Sequence, residues 1–491
     1  MLAAMPPTSP TPVNRDEAPA RAAVRTPVRA AVRERGDACP GALRLHAADD
    51  GRLARLRLPA GILTARQAEA LASAAERLGD GHLDITSRGN VQLRGLADEC
   101  GGELAELLHG AGLLPSEEHE RVRNIVASPL AGLDGLTSAD AQLWARELDE
   151  LLCASQAAKA LSGRFLFALD DGRGDVATLG ADVTLLAQRD ARDARQVERP
   201  GGAALLRIGV NRSGLRLDSS DAPRAALLAA ETFLTVAEAS GSGAWRVREL
   251  PAGQDHDRGP EDLEAAVAAR LAEAGISAEY VAEAALPQGA PPAPGLIRSP
   301  DGTVALSVYA TLGRLSAAQW RLLSTATADT ESGELRVTPW RGVIVPGVDP
   351  AAADDLLDRL RTAGLITSPD SPWHGVGACT GRPGCAKALS DVRSDAAGTV
   401  AVDAAGTVAV KDTPGGLPVY WSGCARRCGH PQGRSVDVVA TGEGSYEVSV
   451  QGTLVTTATV TATRTDTRTA TTDGPELADA VATARTTPLT R

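Results

Sequence analysis

Four cysteines lie near the C-terminus of this 491-residue chain and form two closely spaced pairs. Cys379 and Cys385 are separated by five residues, and Cys424 and Cys428 by three. Two pairs of thiolates can bind a tetrahedral zinc ion or an iron–sulfur cluster. Because zinc ligand pairs usually have about two to four intervening residues, the wider first spacing favours the cluster. We therefore interpret these four cysteines as ligands of a [4Fe–4S] cluster.

Glycines accompany both cysteine pairs, namely Gly381, Gly384 and Gly423. Glycine lets the backbone approach a bulky inorganic core, so that amide N–H groups can donate hydrogen bonds to sulfide. The total of seven cysteines is odd, which argues against a disulfide framework. The three cysteines outside the pairs are interpreted as core or loop thiols: Cys39, Cys100 and Cys153.

A second polar motif occupies residues 83–94, within a strand that we predict over Leu83–Leu96. Apolar and polar residues alternate there, so the polar ones would share one face. These residues are Asp84, Thr86, Arg88, Asn90, Gln92 and Arg94. Guanidinium groups bind carboxylates through two parallel hydrogen bonds. The face is therefore either a binding face for a polyanionic ligand or a solvated outer face.

The elements that would position these motifs occur twice in the chain. Gly61–Gln67 matches Gly313–Gln319, and Ala111–Leu113 matches Ala363–Leu365, both at an offset of 252 residues. Each copy has the pattern strand, helix, strand, helix, which predicts an α+β sandwich. In the first copy we predict a helix over 64–78, capped by Thr64, and a second over 103–111.

The composition is that of a soluble globular protein with an acidic surface. There are 50 Lys or Arg residues and 62 Asp or Glu residues, so the formal net charge is −12. This surplus of acidic groups argues against a general nucleic-acid-binding protein. No segment approaches the roughly 18 consecutive apolar residues of a membrane helix, and the N-terminus lacks the pattern of a secretory signal. We therefore expect a cytoplasmic protein.

Together these motifs resemble the sirohaem-dependent sulfite and nitrite reductases. The similarity rests on the two cysteine pairs, on Thr86–Gly95 and on Arg123-Asn124. It implies an internally duplicated α+β fold with two ferredoxin-like half-domains and two mixed α/β domains. It also implies that Cys428 is the cysteine that meets the reaction centre. The substrate-binding residues implied by the resemblance are Arg88, Asn90, Gln92, Arg94, Arg123, Asn124 and Arg164.

The composition and the resemblance together predict a division into seven segments. They are a disordered extension (1–36), a first ferredoxin-like half-domain (37–128), a first reductase-like α/β domain without a cluster (129–250), a helix with a Pro-rich linker (251–295), a second ferredoxin-like half-domain (296–370), a [4Fe–4S]-binding domain (371–452) and a Thr/Ala-rich tail (453–491). At the offset of 252, Ala127 occupies the position of Cys379, so we expect that the first copy binds no cluster.

The chain departs from the reductases at one informative place. Those enzymes carry a lysine pair that protonates the oxyanion substrate, whereas the matching stretch here, Gly163–Ala168, has Arg164 and Leu166. The nearest lysine, Lys159, precedes that stretch. Because arginine is effectively always protonated, it is a poor proton donor. The sequence therefore argues against reduction of sulfite or nitrite.

Three segments resemble the precorrin-3B synthase family of aerobic cobalamin biosynthesis, namely Ala38–Arg44, Thr86–Gly95 and Trp421–Pro431. The resemblance implies an oxygen-dependent monooxygenase that hydroxylates precorrin-3A at C20 and forms a γ-lactone. It further implies a mononuclear non-haem iron beside the [4Fe–4S] cluster. The sequence does not reveal the ligands of that iron; His430 is a candidate, although a hydrogen-bonding role is the commoner one for such a histidine.

Two alternatives stay open. The first is a sirohaem-dependent ferredoxin sulfite or nitrite reductase, and the second is an electron carrier or tetrapyrrole-binding protein without catalytic activity. The dinucleotide-binding fingerprint is not found after any predicted strand, since Gly442–Glu447 lacks the third glycine. Electrons should therefore come from an external donor, either a ferredoxin or an NAD(P)H-dependent reductase.

Overall fold

The computed structural model describes residues 37, 39–137, 141–188, 202–251, 260–328, 330, 333–404, 416–431, 434–450, 453–459 and 477–486. The predicted extension, residues 1–36, lies outside the described residues. Within this part of the chain the strands form four sheets, one of six strands and three of five. None of the helices described is long and apolar enough to cross a membrane.

The first half of the chain contributes eleven strands and five helices. In chain order they are β1 His46–Ala48, β2 Gly51–Leu56, β3 Ile62–Thr64, α1 Ala65–Leu78, β4 His82–Ile85, β5 Val91–Leu96, α2 Gly101–Gly110, β6 Ile125–Ala127, α3 Ala141–Ala154, β7 Phe167–Asp170, β8 Val183–Gln188, β9 Ala203–Ile208, β10 Gly214–Asp218, α4 Ala222–Ala239, α5 Pro260–Glu273 and β11 Ala278–Val281.

The second half repeats the same order of elements for most of its length. It consists of β12 Gly295–Arg298, β13 Val304–Tyr309, β14 Arg314–Ser316, α6 Ala317–Ala328, β15 Glu334–Val337, β16 Gly342–Val348, α7 Ala353–Thr362, β17 Val376–Ala378, α8 Val392–Ala404, β18 Val419–Ser422, β19 Val436–Gly442, β20 Ser445–Val450, β21 Thr453–Thr459 and α9 Leu477–Thr486.

The predicted duplication is confirmed, and the two half-domains exchange edge strands. The first sheet has the order β1-β2-β5-β4-β14, and its counterpart has the order β12-β13-β16-β15-β3. Each sheet therefore ends in a short antiparallel strand from the other copy, with Leu315 opposite Leu83 and Leu63 opposite Leu335. Helices α1 and α6 pack together, and the buried Trp320 indole donates a 2.8 Å hydrogen bond to the Ala68 carbonyl. One continuous core spans both half-domains.

Local sequence signals explain how α1 begins. Thr64 and Gln67 form a capping box, in which each side chain binds the backbone N–H of the other residue. The preceding turn needs Gly61, which has a φ of +71° and lies so close to the Val337 carbonyl that a Cβ would be only 1.9 Å from its oxygen. The predicted helix capped by Thr64 is thus confirmed, and the close approach of Gly61 to Val337 aligns the two half-domains.

The prediction of one strand over Leu83–Leu96 is wrong. The segment is a hairpin of β4 and β5, joined by a turn in which Thr86 N–H donates to the Asn90 carbonyl at 2.8 Å. Gly89 supplies the positive φ of +66° that the turn requires. Asp84 faces Gln92 across the hairpin, so these two polar residues still share a face. Arg88 instead lies in the turn.

The remaining two sheets belong to the mixed α/β domains. Their orders are β11-β10-β9-β8-β7-β6 and β17-β18-β19-β20-β21. In each sheet the first two strands to appear along the chain are parallel neighbours, β6 with β7 and β17 with β18. Parallel neighbours place the loops that follow them at one edge of the sheet.

The segment expected to be a tail contributes two elements to the last domain. Strand β21 pairs with β20 along its length, and α9 buries Leu477, Val481 and Ala484 against the sheet. The physical reason is that Thr is β-branched and readily joins a half-buried sheet, while the Leu477–Ala484 spacing gives the helix an apolar face. The rest of 453–491 lies outside the described residues.

Candidate functional site

The two cysteine pairs meet because their loops follow adjacent parallel strands. Cys379 comes directly after β17, and Cys424 comes two residues after β18. The Cys379 backbone N–H donates to the Trp421 carbonyl at 2.9 Å, which extends the β17–β18 ladder by one bond. The Gly423 N–H then donates to Cys379 Sγ at 3.1 Å. The two loops are therefore in direct contact.

The glycines beside the cysteines occupy positions where a side chain would collide. A Cβ at Gly423 would lie 2.7 Å from the Ala388 Cβ, and a Cβ at Gly384 would lie 2.6 Å from Asp50 Oδ2. Gly381 has a φ of +68° and would meet the Val392 side chain at 2.8 Å. The backbone N–H groups of Gly423 and Gly381 both donate to the Cys379 sulfur, as in a cradle for an inorganic group.

The cysteine sulfurs do not form a compact zinc-type group. Four thiolates around a tetrahedral zinc ion lie about 3.8 Å apart, given a Zn–S distance of about 2.3 Å. Across the residues that the structure describes, the one group of three Cys, His, Asp or Glu ligand atoms within 4.8 Å of one another is Asp170, Asp171 and Asp175, and it contains no cysteine. The four cysteine sulfurs are therefore not gathered as tightly as a tetrahedral zinc ion requires.

Electrostatics also favour a positively charged group among the cysteines. Burial raises the pKa of Cys379, and negative charge at Cys428 and Cys385 raises it further, against the lowering effect of nearby backbone N–H groups. Thiolate ligands must be deprotonated to bind metal. Iron in the cradle would compensate this cost, so the four residues fit the cluster in donor type and setting.

Arg94 anchors the first cysteine loop to the first half-domain. Its guanidinium forms two 2.8 Å hydrogen bonds with the Asp50 carboxylate and a third, also 2.8 Å, with the Gly384 carbonyl. Asp49 accepts a hydrogen bond from the backbone of Ala386 in the same loop. The arginine was expected to bind substrate. It is buried and satisfied, so it is a positioning residue for the loop.

Three other arginines form a group without carboxylate partners, which we call the arginine patch: Arg55, Arg57 and Arg88. Arg57 Nη2 and Arg88 Nη1 both donate to the Gly163 carbonyl at 3.4 Å, and Arg55 donates to Gln92 Oε1. None of the three forms an ion pair with any carboxylate in the described ranges. The patch thus concentrates positive charge that Glu120 and Asp182 offset only without direct ion pairs.

The pKa values of the three arginines reflect the cost of burying these positive charges. Burial lowers the pKa of Arg57 to about 9, with a further lowering from the charge of Arg55. Burial lowers that of Arg88 to about 10, with further lowering from Arg246 and Arg55. The pKa of Arg55 is lowered by burial and by Arg94 but raised by charge at Cys39 and Cys428. Cys428 is thus electrostatically coupled to the patch. An anionic ligand bound at the patch would offset the cost of burying its guanidinium groups.

Of the remaining predicted substrate-binding residues, three hold the arginine patch in place and two lie outside it. Asn90 accepts from the Leu58 N–H at 3.0 Å and donates to Asn124, whose amide in turn donates to the Gly163 carbonyl at 2.8 Å. Gln92 holds Arg55. These three amides support the patch.

Arg123 and Arg164 do not join the patch. Arg123 is buried and forms an ion pair with Asp149 through two hydrogen bonds. Arg164 is exposed and stacks on Trp245, with 4.8 Å between its guanidinium carbon and the ring centre. Their expected role as substrate ligands therefore has no support in this geometry. Sequence reasoning missed Arg55 and Arg57, although the alternation from Arg55 to Leu58 was visible as a strand pattern.

The residues present do not fit a mononuclear iron beside the patch. His430 is held by Asp437 and by Ser435 Oγ, so it is a hydrogen-bonding residue here. The three-aspartate group begins where β7 ends, whereas Gly163 precedes that strand. Asp170 accepts from four backbone N–H groups, and Asp171 is paired with Arg173. We derive no step through such an iron.

In the other copy, the positions equivalent to Cys379 and Arg88 carry residues of different chemistry. The Ser128 N–H donates to the Leu169 carbonyl as the Cys379 N–H does to Trp421, so Ser128, and not Ala127, is the counterpart of Cys379. The offset of 252 residues holds in the half-domains but changes by one residue in the mixed α/β domains. It therefore pointed to the wrong counterpart. At the offset of 252, Trp340 replaces Arg88, and it packs against a small apolar cluster around Leu166. This second place is filled by side chains.

Comparison with known proteins gives one family match. The nitrite/sulfite reductase ferredoxin-like half domain matches residues 46–111 and 297–363. The chain is 27% identical over 419 residues to a precorrin-3B synthase from Sinorhizobium sp, covering 85% of this chain and 83% of that protein. It is also 27% identical over 403 residues to a ferredoxin–nitrite reductase from Synechococcus elongatus, covering 77% and 74%.

A solved structure has the same fold. The NirA protein of Mycobacterium tuberculosis superposes with a TM-score of 0.58 at 20% identity, covering 82% of this chain and 75% of that one. The two matched half domains coincide with the two sheets that exchange their edge strands. The sequence-based expectation of duplicated ferredoxin-like half-domains in an α+β fold is therefore confirmed.

Proposed function

Because the chain belongs to the nitrite/sulfite reductase superfamily, we propose that it is an oxidoreductase of the precorrin-3B synthase type. In this proposal it hydroxylates precorrin-3A at C20 with O2 and forms a γ-lactone in aerobic cobalamin biosynthesis. The observation that carries the proposal is the arginine patch, which concentrates positive charge beside Cys428 and has no lysine to donate protons. The reaction would take place in the cytoplasm, where the cysteines stay reduced.

The patch suits a tetrapyrrole that carries several carboxylates. Arg57 is only 4% exposed, and its pKa is lowered by burial and by the neighbouring charge of Arg55. A ligand carboxylate would supply a counter-ion, and each charge-assisted hydrogen bond contributes about 1.5–3 kcal/mol. Asn90 and Asn124 keep Gly163 in place, so the guanidinium groups are oriented before the ligand arrives.

The four paired cysteines would hold a [4Fe–4S] cluster, which supplies single-electron transfer when bound. Arg94 and Asp50 fix the first cysteine loop against the half-domain that carries the patch. The Tyr420 hydroxyl donates to the Cys428 carbonyl at 2.7 Å and fixes the second loop. An external donor, a ferredoxin or an NAD(P)H-dependent reductase, would provide the electrons.

The setting of Lys159, the described lysine nearest the matching stretch, favours this proposal over a sirohaem-dependent ferredoxin nitrite or sulfite reductase. Lys159 is ion-paired with Glu118 and precedes the stretch where the reductases carry their proton donors. Arg164, at the matching position, stacks on Trp245 and cannot act as an acid near neutral pH. The reductase remains the second candidate, because the similarity to the Synechococcus elongatus enzyme is comparable.

A spectrum and one turnover assay separate the two candidates. Purified protein under the proposal shows the broad absorption of a cluster, whereas bound sirohaem adds strong Soret and red bands. The assay supplies precorrin-3A, a chemical or ferredoxin electron source and isotopically labelled O2. We expect one labelled oxygen atom in a lactone product. Sirohaem bands with sustained sulfite or nitrite reduction would establish the reductase instead.

A further inference from the structure

The turn that joins β15 and β16 has the same form as the turn of the first hairpin but differs at one residue. It is closed by a 2.8 Å hydrogen bond from the Thr338 N–H to the Gly342 carbonyl. At the left-handed position the first turn has Gly89, with a φ of +66°, whereas the second has Arg341, with a φ of +64°. A residue with a Cβ is costly there, and such strain is typical of functional positions. The side chain of Arg341 therefore needs a reason to be there.

That side chain reaches the second cysteine loop, which carries Cys424 and Cys428. Arg341 Nη2 donates to the Gly429 carbonyl at 2.6 Å, and Gly429 directly follows Cys428. The guanidinium also stacks on the Tyr420 ring, with 5.0 Å between its central carbon and the ring centre. The Tyr420 hydroxyl donates to the Cys428 carbonyl at 2.7 Å. Arg341 and Tyr420 thus hold two consecutive carbonyls, beginning with that of Cys428.

The packing around the guanidinium is close on both sides. A Cβ at Gly429 would lie 2.8 Å from the Tyr420 hydroxyl oxygen and 3.4 Å from Arg341 Nη2. Gly377 lies on β17, two residues before Cys379. A Cβ at Gly377 would lie 3.0 Å from Tyr420 Cδ2 and 3.6 Å from Arg341 Nη1. The guanidinium therefore lies between the strand that leads to the first cysteine pair and the loop that carries the second pair.

Arg341 differs from its charged neighbours in having no counter-ion. Arg94 is paired with Asp50, and Arg427 of the second cysteine loop is paired with Asp437 at 3.0 Å. No carboxylate in the described part of the chain forms an ion pair with Arg341. Its positive charge is therefore not cancelled locally. A positive charge near an iron–sulfur cluster favours the reduced form, since net charge and hydrogen bonding around the cluster set its reduction potential.

We propose that Arg341 is a positioning residue for Cys428 and that its charge raises the reduction potential of the cluster. The inference rests on the cluster part of the proposed function and is independent of the substrate. The step concerned is a one-electron transfer, in which the external donor loses one electron, the cluster gains it, and no covalent bond forms or breaks. The guanidinium stabilises the added negative charge, and its hydrogen bond to Gly429 keeps the second cysteine loop in place.

The first experiment measures how firmly the cluster is held. Cluster-loaded wild type and Arg341→Gly are incubated without air in the iron chelator bathophenanthroline disulfonate, and iron release is followed by absorbance. Because glycine suits this turn, the variant removes only the side chain that holds Gly429. We expect iron release to be about tenfold faster or more, since a charge-assisted hydrogen bond is lost.

The control for this experiment is Arg298→Gln. Arg298 lies at an exposed position of β12 in the same half-domain, so its loss should leave iron release at the wild-type rate. Equal rates in wild type and Arg341→Gly would overturn the positioning role.

The second experiment separates the charge of Arg341 from its contacts. The reduction potential of the cluster is measured by redox titration followed by electron paramagnetic resonance in wild type, Arg341→Lys and Arg341→Gln. Lysine keeps the positive charge, although it loses the planar stack on Tyr420, whereas glutamine removes the charge. We expect Arg341→Gln to shift the potential to a more negative value and Arg341→Lys to stay near wild type. A merely structural role would move both variants alike, and equal potentials in wild type and Arg341→Gln would refute the effect of the charge.

Tyr420→Phe tests whether Arg341 acts through the second cysteine loop. This variant removes the hydroxyl that donates to the Cys428 carbonyl and keeps the ring on which Arg341 stacks. If both residues hold the same loop, iron release in the double variant of Arg341→Gly and Tyr420→Phe should be slower than the product of the two single effects predicts. Effects that multiply independently would show that Arg341 does not act through this loop.

The outcomes separate this inference from the proposed function. If purified wild-type protein carries no iron and no acid-labile sulfide, the cluster assignment fails, and the inference fails with it. If the protein carries the cluster but the Arg341 variants match wild type in iron release and in potential, the role of Arg341 fails while the proposed function stands.

Discussion

Arg94 and Asp50 are joined by two hydrogen bonds of 2.8 Å, and both belong to the first half-domain although they hold a loop of the last domain. Arg94 is nearly buried, with 7% of its side chain exposed. Removal of one partner from a buried pair leaves the other charge unpaired, which costs about 3–5 kcal/mol. We therefore expect Arg94→Ala to lower the free energy of unfolding by that amount and to accelerate loss of iron to a chelator.

The control for this variant is Arg52→Ala. Arg52 pairs with Asp98 on the surface, with 36% and 73% of the two side chains exposed. Exposed pairs contribute about 0–1 kcal/mol. Both variants are compared by urea unfolding of the cluster-loaded protein. Equal stability of the two would show that the Arg94 pair does not fasten the loop.

The second prediction concerns the cluster ligands. Cys424→Ser and Cys428→Ser should each lose iron and acid-labile sulfide, because serine replaces a thiolate ligand at the cradle. Cys100→Ser and Cys153→Ser are matched controls, since both thiols lie outside the two loops. Iron and sulfide are measured on protein purified without air. Retention of full cluster content in either paired-cysteine variant would contradict the ligand set.

The third prediction addresses the patch. Arg88→Ala removes one guanidinium of the arginine patch, where we propose that the ligand binds, so we expect binding of uroporphyrin, an octacarboxylate tetrapyrrole, to weaken by about 1.5–3 kcal/mol, or roughly 10- to 150-fold. Cluster content should not change, because Arg88 touches neither cysteine loop. The exposed Arg216, which binds Gln188, supplies the control Arg216→Ala. Fluorescence titration gives the affinities, and equal Kd values for the two variants would refute a role of Arg88 in binding.

The fourth prediction is a pH dependence of stability from Asp175. Burial raises its pKa to about 7, although the Ser128 hydroxyl opposes this with a 2.6 Å hydrogen bond. The folded state thus binds more protons than the unfolded state between about pH 4 and pH 7. Stability from this group is present below that window and is lost as the pH rises through it, by at most about 1.4 kcal/mol per pH unit.

Asp175→Asn removes this titration. We expect the variant to lose the wild-type decline in unfolding free energy between pH 5 and pH 8, and to be the more stable protein at pH 8. Asp355→Asn, at an exposed position of α7, should follow the wild-type curve. Denaturant unfolding at a series of pH values gives the slopes. A parallel decline in wild type and Asp175→Asn would disprove the assignment.

Features with a local signal were predictable from the sequence. The helix cap at Thr64 depends on residues three apart, and the duplication is visible because equivalent turns repeat Gly61 at Gly313. The spacing of the two cysteine pairs likewise predicts a cluster site from residues within two short loops. In each case the residues that decide the outcome are close together in the chain.

The fate of individual arginines was not predictable in the same way. Whether an arginine faces a ligand depends on whether the fold brings a carboxylate to it, and such partners are distant in sequence. Arg94 meets Asp50 across 44 positions and Arg123 meets Asp149 across 26, so both are neutralised. Arg88 has no such partner and keeps its charge available. No periodicity distinguishes these three residues.

The exchanged edge strands have a consequence for how the two copies diverged. If the first half existed alone, β4 would lack its neighbour β14, and β3 would lack the sheet that it joins. A second identical half could supply the missing strand and the missing sheet. Two identical halves would form a symmetric dimer with two equal sites. Joined in one chain, the copies are free to differ, so the first keeps Arg88 where the second has Trp340 beside an apolar cluster. A single chain with exchanged strands can therefore carry different residues at the two equivalent places, which a symmetric dimer of identical halves cannot.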